Sequence, residues 1–277
     1  MVSSQENERR TEALGSNWAQ CEASSVREAA RSGKLNGPTS GLAEGFVQAN
    51  LAILPASDAD DFLRFCQLNS RPCPLLAVSE PGAFAIPDLA ENLDVRTDAT
   101  RYKVFHNGQV TDEPYDIKAV WRDDLVTFAL GCSFTFEHEL LASGVSLRHI
   151  ETGTNLPVFN TNVPLRSAGK FSGNLVVSMR PLNAKDAIRA IQISSRFPLA
   201  HGAPVHFGHP ELIGINDINT PDYGEPLEIK PDEFPVFWAC GVTPQVALAE
   251  AKLPFAITHY PGHMLVTDIS RHSLSIL

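Results

Sequence analysis

The sequence is short of basic residues. Lys and Arg number 22 against 32 Asp and Glu, a formal net charge of −10, and no run of Lys/Arg is interleaved with aromatics. Nucleic acid and anionic membrane surfaces both call for a basic patch, so neither is expected as a partner. Long apolar runs are missing as well. Nothing approaches the roughly 18 uninterrupted apolar residues of a membrane span, and the N-terminal "MVSSQENERRTEALGSNW" lacks the apolar core of a secretory signal. Cysteine is sparse: five, an odd number with no CxxC pair, which fits free thiols in a reducing compartment. No internal repeat or low-complexity tract appears. These absences lead to the expectation of an acidic, soluble, cytoplasmic protein.

What the chain has is turns and core. Its 277 residues include 20 prolines and 18 glycines, with 43% apolar and 19% charged residues. That composition suits a loop-rich, enzyme-like chain long enough to bury a large core and to divide into two domains.

Local patterns give a provisional element order. "SSVREAARSG" reads as a helix capped by Ser25 with Glu28 answering, and "SDADDFLRFCQLNS" as a helix capped by Ser57 with Phe62, Phe65 and Cys66 inward. "FVQANLAILP" is apolar enough to pack against a sheet, and "PLLAVSEPG" reads as a buried strand. "WRDDLVTFALG" and "FEHELLASG" read as helices, "VSLRHIE" and "NLVVSMRP" as strands, and "NAKDAIRAIQISSRF" as a helix. "PVFWACG" reads as a buried strand, and "TPQVALAEAKL" as a helix with Thr243 as cap and Pro244 first. "FAITHYPG" and "HMLVTDI" close the chain as strands. The fold class expected is α/β: a mixed-sheet αβα sandwich over 1–118 plus 229–277, with a smaller two-layer α+β domain inserted at 119–228.

Several stretches could carry chemistry. "HGAPVHFGHPELIGIND" holds His201, His206 and His209, and its glycines and prolines forbid the helical i, i+4 spacing of a zinc site. In a short strand through "PVHFG", Val205 and Phe207 share one face and His206 takes the other. Asp217, His259, His263 and Asp268 add ligand types, yet no pair shows tight zinc-signature spacing, so no metal is assigned and acid–base service is preferred. "GCSFTFEHEL" sets Cys132, Ser133 and Thr135 ahead of a helix beginning near Glu137, where free amides suit an anion. Cys240 ends a strand before another helix, where a thiol pKa tends to fall. Arg96, Arg101 and Arg180 stand beside strand-like segments, and an arginine fork fits a carboxylate. Each has an ordinary structural alternative: a cap, a small core residue, an ion pair.

The strings "RPCPL", "GCSFTFE", "FSGNLVVSMRP", "SRFP", "HGAPVHFG", "PVFWACGVTPQ" and "ITHYPGHMLVTD" resemble the D-glutamate cyclase family, whose bacterial members carry a hydro-lyase designation. The resemblance runs from about Arg27 to Asp268 in matching order, and the N-terminus and the tail "ISRHSLSIL" lie outside it. Asn174 and Tyr260 stand where proline and a small residue would be expected. The resemblance implies a two-domain α/β architecture and closure of D-glutamate to 5-oxo-D-proline with loss of water, without a cofactor. Chemistry then suggests roles. His206 is the first candidate base and His259 the second, and a buried, protonated Glu137 is the acid. The "GCSF" amides, with Cys132 and Ser133, form an oxyanion site, and Arg101 or Arg180 grips the α-carboxylate. Cys240 or Cys132 as a nucleophile, a metal-dependent hydro-lyase or hydrolase, and a non-catalytic amino-acid-binding module are the rivals. The partner expected is a small carboxylate or amino acid, and self-association stays open.

Overall fold

The structure is a computed structural model that describes residues 18–276; most of the N-terminal string discussed above lies outside the described residues. In chain order the strands are β1 (Phe46–Pro55), β2 (Leu75–Val78), β3 (Tyr102–His106), β4 (Gln109–Asp112), β5 (Leu125–Gly131), β6 (Val158–Pro164), β7 (Asn174–Asn183), β8 (His206–Phe207), β9 (Glu233–Ala239), β10 (Ala256–His259) and β11 (Leu265–Ser270). The α-helices are α1 (Ala23–Arg31), α2 (Ala56–Leu68), α3 (Phe134–Ala142), α4 (Arg148–Glu151), α5 (Ala184–Ser194) and α6 (Val242–Glu250). Among the described residues no helix is long and apolar enough to cross a membrane.

The mixed α/β class is the one expected, but the strands form two sheets in which every ladder is antiparallel. The larger runs β2-β5-β1-β10-β3-β4, with β11 also on β1; the smaller runs β6-β7-β9-β8. β1 is central. Nine of its ten residues are buried, and it pairs with β5 on one side and with β11 and then β10 on the other. Helices α2 and α6 cover one face, where Phe62 meets Phe128 and Phe171 at ring separations of 4.9 and 5.0 Å. The opposite face is packed by coil from Ile86 to Ala99, which the buried Tyr102 hydroxyl pins by donating to the Val95 carbonyl at 2.7 Å.

Six local expectations are corrected. "WRDDLVTFALG" contains β5, not a helix: all seven strand residues are buried, so the alternation that distinguishes a strand is absent from the sequence. "VSLRHIE" holds the one-turn α4 rather than a strand. β2 is an edge strand with Val78 exposed, not a buried one. Ser25 and Ser57 lie inside their helices, which start after Glu22 and Pro55. Thr243 is buried inside α6, which starts after Gly241; its hydroxyl instead bridges to the β7 backbone at Val176.

β5 lies in the large sheet and β9 in the small one. The chain therefore leaves the large sheet after Gly131 and leaves the small one after Ala239. We propose these crossings as the limits of the inserted unit, in place of 119 and 228.

Candidate active site

Both crossings have the same local build. Gly131-Cys132-Ser133-Phe134-Thr135 and Ala239-Cys240-Gly241-Val242-Thr243 each run from a strand through a cysteine into a helix. In each, the threonine amide closes a turn on the cysteine carbonyl, at 3.2 and 3.0 Å. The buried Asn50 side chain lies between them: it donates to the Gly131 carbonyl at 2.8 Å, and a Cβ at position 241 would collide with it. Glycine at 241 is thus required by close approach.

Around the first crossing is a buried charged cluster. Arg180 on β7 is 1% exposed and Glu137 on α3 is 4% exposed. The Arg180 Nε donates to Glu137 Oε1 at 3.0 Å, and Nη2 contacts the same oxygen. Nη2 also donates to the Ser133 hydroxyl and Nη1 to the Ser178 hydroxyl, each at 3.2 Å. The guanidinium carbon lies 5.4 and 5.0 Å from the Phe136 and Trp238 ring centres, a cation–π enclosure. On the far side, His149 Nε2 of α4 is 3.5 Å from Glu137 Oε2.

This arrangement sets the charge state of Glu137. Burial favours the protonated form, but Arg180 and His149 outweigh it and hold the carboxyl down at about 2. The expected protonated acid is therefore an anion at neutral pH. Burial also pushes the Cys132 thiol up to about 12 and raises that of Cys240 against the pull of the Val242 amide. Desolvation wins over the helix start, so neither cysteine is the activated thiolate that an acyl-transfer role needs.

The structure thus brings Cys132, Ser133, Glu137, Arg180 and Cys240 together and leaves the other candidates apart. His206 pairs with Phe237 across β8 and β9, whereas Arg180 pairs with Val236. Successive residues on a strand face opposite ways, so His206 lies on the other face of the sheet, where it sits 5.7 Å from the Phe237 ring. Its Nε2 meets the His209 carbonyl at 2.9 Å, while the exposed His209 pairs with Glu211. His259 fills the gap where β1 exchanges one partner for the next. Its Nδ1 accepts from the Leu51 amide at 3.0 Å and its Nε2 meets the Gln245 side chain at 3.3 Å, so both ring nitrogens are occupied. Arg101 is bound to Glu113 at 2.9 Å and lies 4.4 Å from the Tyr260 ring centre. Arg96 pairs with Asp94, and Asp268 with Arg27. The expected second base, His259, and one expected carboxylate clamp, Arg101, thus both have intramolecular partners apart from the Glu137 cluster. Among the described residues no three His, Cys, Asp or Glu side chains gather as metal ligands.

A cavity of about 340 Å³ opens beside the cluster, lined by Gln48, Thr135, Glu137, His138 and His149 among others. Two buried polar atoms on its lining residues have no hydrogen-bond partner: Thr135 Oγ1 and His149 Nδ1. His149 was not among the sequence candidates. The only signal was its place beside Arg148 in a segment read as strand, where alternation gave it no special direction.

Comparison with known proteins agrees over nearly the whole chain. The family described as D-glutamate cyclase matches residues 126–268. A protein of Bordetella petrii named "Putative hydro-lyase" is 60% identical over 91% of this chain and 96% of its own length. Similarly named proteins of Burkholderia ambifaria and Bradyrhizobium diazoefficiens are each 57% identical over 91% of this chain, covering 98% and 93% of their own. Among solved structures, a nitrogen repressor-like protein from Methanococcus jannaschii covers 85% of this chain and 91% of its own at 12% identity and a TM-score of 0.36, too slight a likeness to carry an argument. The chain belongs to the D-glutamate cyclase family.

Proposed function

We propose that this protein is a lyase of the hydro-lyase type acting on a small amino acid, and that it closes D-glutamate to 5-oxo-D-proline with loss of water in the cavity beside Glu137. The observation that carries this reading is His149: buried, braced at Nε2 by an ionised Glu137, and unpartnered at Nδ1. A carboxylate behind an imidazole fixes its tautomer and stabilises the imidazolium that forms when the free nitrogen takes a proton.

The stoichiometry asks for such a group. The nitrogen of D-glutamate enters as an ammonium with three protons and leaves as a ring amide with one. The other two depart with a γ-oxygen as water. One base that carries a proton from the amine to the γ-oxygen twice, first to protonate the γ-carboxyl and then to release the oxygen as water, satisfies that balance, and His149 is the base we assign. Among the described residues the lining includes Glu44 and Glu137 and no lysine or arginine. Negative neighbours raise a bound carboxyl's pKa, favouring a protonated γ-carboxyl, the better electrophile. The Thr135 hydroxyl, buried and without a hydrogen-bond partner, is the donor we assign to the tetrahedral oxygen. Confinement supplies much of the remaining acceleration, since the ring closes within one molecule. To Arg180 we assign a part other than the expected grip on the α-carboxylate. Four of its five N–H donors serve Glu137, Ser133 and Ser178, so it positions Glu137 instead of gripping substrate.

The test is incubation with D-glutamate and, separately, L-glutamate, following 5-oxoproline by chiral chromatography with and without a chelator. Product from the D-isomer, unaffected by chelator and abolished in His149→Ala, is expected. No product from either isomer would sink the substrate, and undiminished turnover in His149→Ala would sink the base.

A further inference from the structure

On the other side of the Gly131–Ser133 crossing lies a second cavity, of about 390 Å³, which the reaction above does not use. It is walled by the connection from α2 to β2 and by the segment that follows α5, including Cys66, Ser70, Arg71, Cys73, Ser195 and His201. The two walls are fixed to the end of β5. The Gly131 amide donates to the Pro74 carbonyl at 2.8 Å, and any Cβ at 131 would collide with the Leu199 carbonyl. The cavity is therefore preformed.

His201 is 1% exposed and lines this space. Its Nδ1 is 2.8 Å from the Arg71 carbonyl oxygen. A carbonyl can only accept, so Nδ1 carries the proton and Nε2 presents a lone pair. Burial pushes the ring's pKa down to about 4, keeping it neutral at pH 7. Nε2 has no partner among the described residues. Arg71, whose backbone fixes that ring, is exposed and makes no ion pair among the described residues. One residue thus holds an acceptor inside the cavity and brings a free cation to its rim. A ligand matching both has a carboxylate for the guanidinium and a donor for the imidazole. An ion that offers only acceptors would meet the Nε2 lone pair and be repelled.

We propose that this second cavity binds a small α-amino or α-hydroxy carboxylic acid, with its carboxylate at Arg71 and its amine or hydroxyl donating to His201 Nε2. The experiment is a titration of the full chain with D-glutamate, L-glutamate and malate, and with glutarate as a dicarboxylate that lacks the donor. It follows the His201 ring nitrogens by long-range nitrogen–proton NMR, assigned through the backbone. The Arg71→Ala variant keeps the carbonyl that orients the ring. A saturable shift of the His201 Nε2 signal with at least one donor-bearing acid is expected, weakened about tenfold or more in Arg71→Ala and on replacing glutamate by glutarate. A His201 signal unmoved by all three donor-bearing acids would overturn the proposal. So would equal affinity in Arg71→Ala, or a response to glutarate as strong as that to glutamate. Because the readout is His201 itself, binding in the Glu137 cavity does not imitate it.

Discussion

On one face of the four-stranded sheet, Arg180 and Ser178 meet Glu137 and Ser133 from α3. On the other, His206 lies against Phe237 beside exposed loop residues. Both faces hold residues of the types that acid–base chemistry uses, and the two strand positions are adjacent in register, Val236 opposite Arg180 and Phe237 opposite His206. One face is closed by helices, so a charge there is desolvated and must be paired. The other ends at the two-residue edge strand β8, where His206 is half-buried against Phe237 beside exposed neighbours. Enclosure, more than residue type, separates a candidate site from a surface.

The sharpest way to break this comparison is to uncouple the buried pair. Glu137→Gln leaves Arg180 buried beside a neutral amide, and a loss of about 3–5 kcal/mol in unfolding free energy is expected, read from the midpoint of urea denaturation. A variant that keeps its midpoint would mean that the guanidinium reaches water. Next comes His149→Ala, for which turnover of D-glutamate is expected to fall about a hundredfold or more while the denaturation midpoint moves much less than in Glu137→Gln. Equal losses of stability in the two variants would make His149 a packing residue.

Acid titration tests burial itself. The pKa values of His201 and His259 are pushed by burial from 6.5 to about 4, and that of His263 to about 3. The unfolded chain takes up these protons first, so their stabilising contribution is whole above 6.5 and is lost as pH falls from there toward 4. Glu137 is depressed from 4.5 to about 2, so its contribution is whole above 4.5 and is lost only between 4.5 and 2. Urea midpoints measured stepwise from pH 7.5 to 3 are expected to decline in two stages, and His259→Gln should flatten the first alone. The smallest effect is expected at His206→Ala, within about 0.5 kcal/mol of the parent and with turnover unchanged. A large activity loss there would return His206 to the chemistry and discard the assignment by face.

How far the site was legible depends on what each signal was. Glu137, Ser133 and Cys132 were readable because a strand-like run, a small-residue turn and a helix start follow one another in "GCSFTFE". The charge on Glu137 was not, since it depends on Arg180, 43 residues on, and on α4. β5 was misread because full burial on both faces erases alternation, and with it went the nature of the first crossing. His149 was missed for a related reason: a single helical turn has too few residues to show a period. The cluster of histidines at 201–209 drew attention by density, yet its members separate into a buried ring, a half-buried one and an exposed one.

The sequence by itself determined the α/β class, the family, the acidic surface and most helix positions, because these follow from composition, local periodicity and turn residues within short windows. Only the tertiary structure decided which face each strand residue takes, which buried charges find partners, and where two strand–cysteine–helix turns come together on Asn50. Those outcomes depend on register between distant segments and on desolvation, and a one-residue shift in register reverses the face of every side chain on a strand.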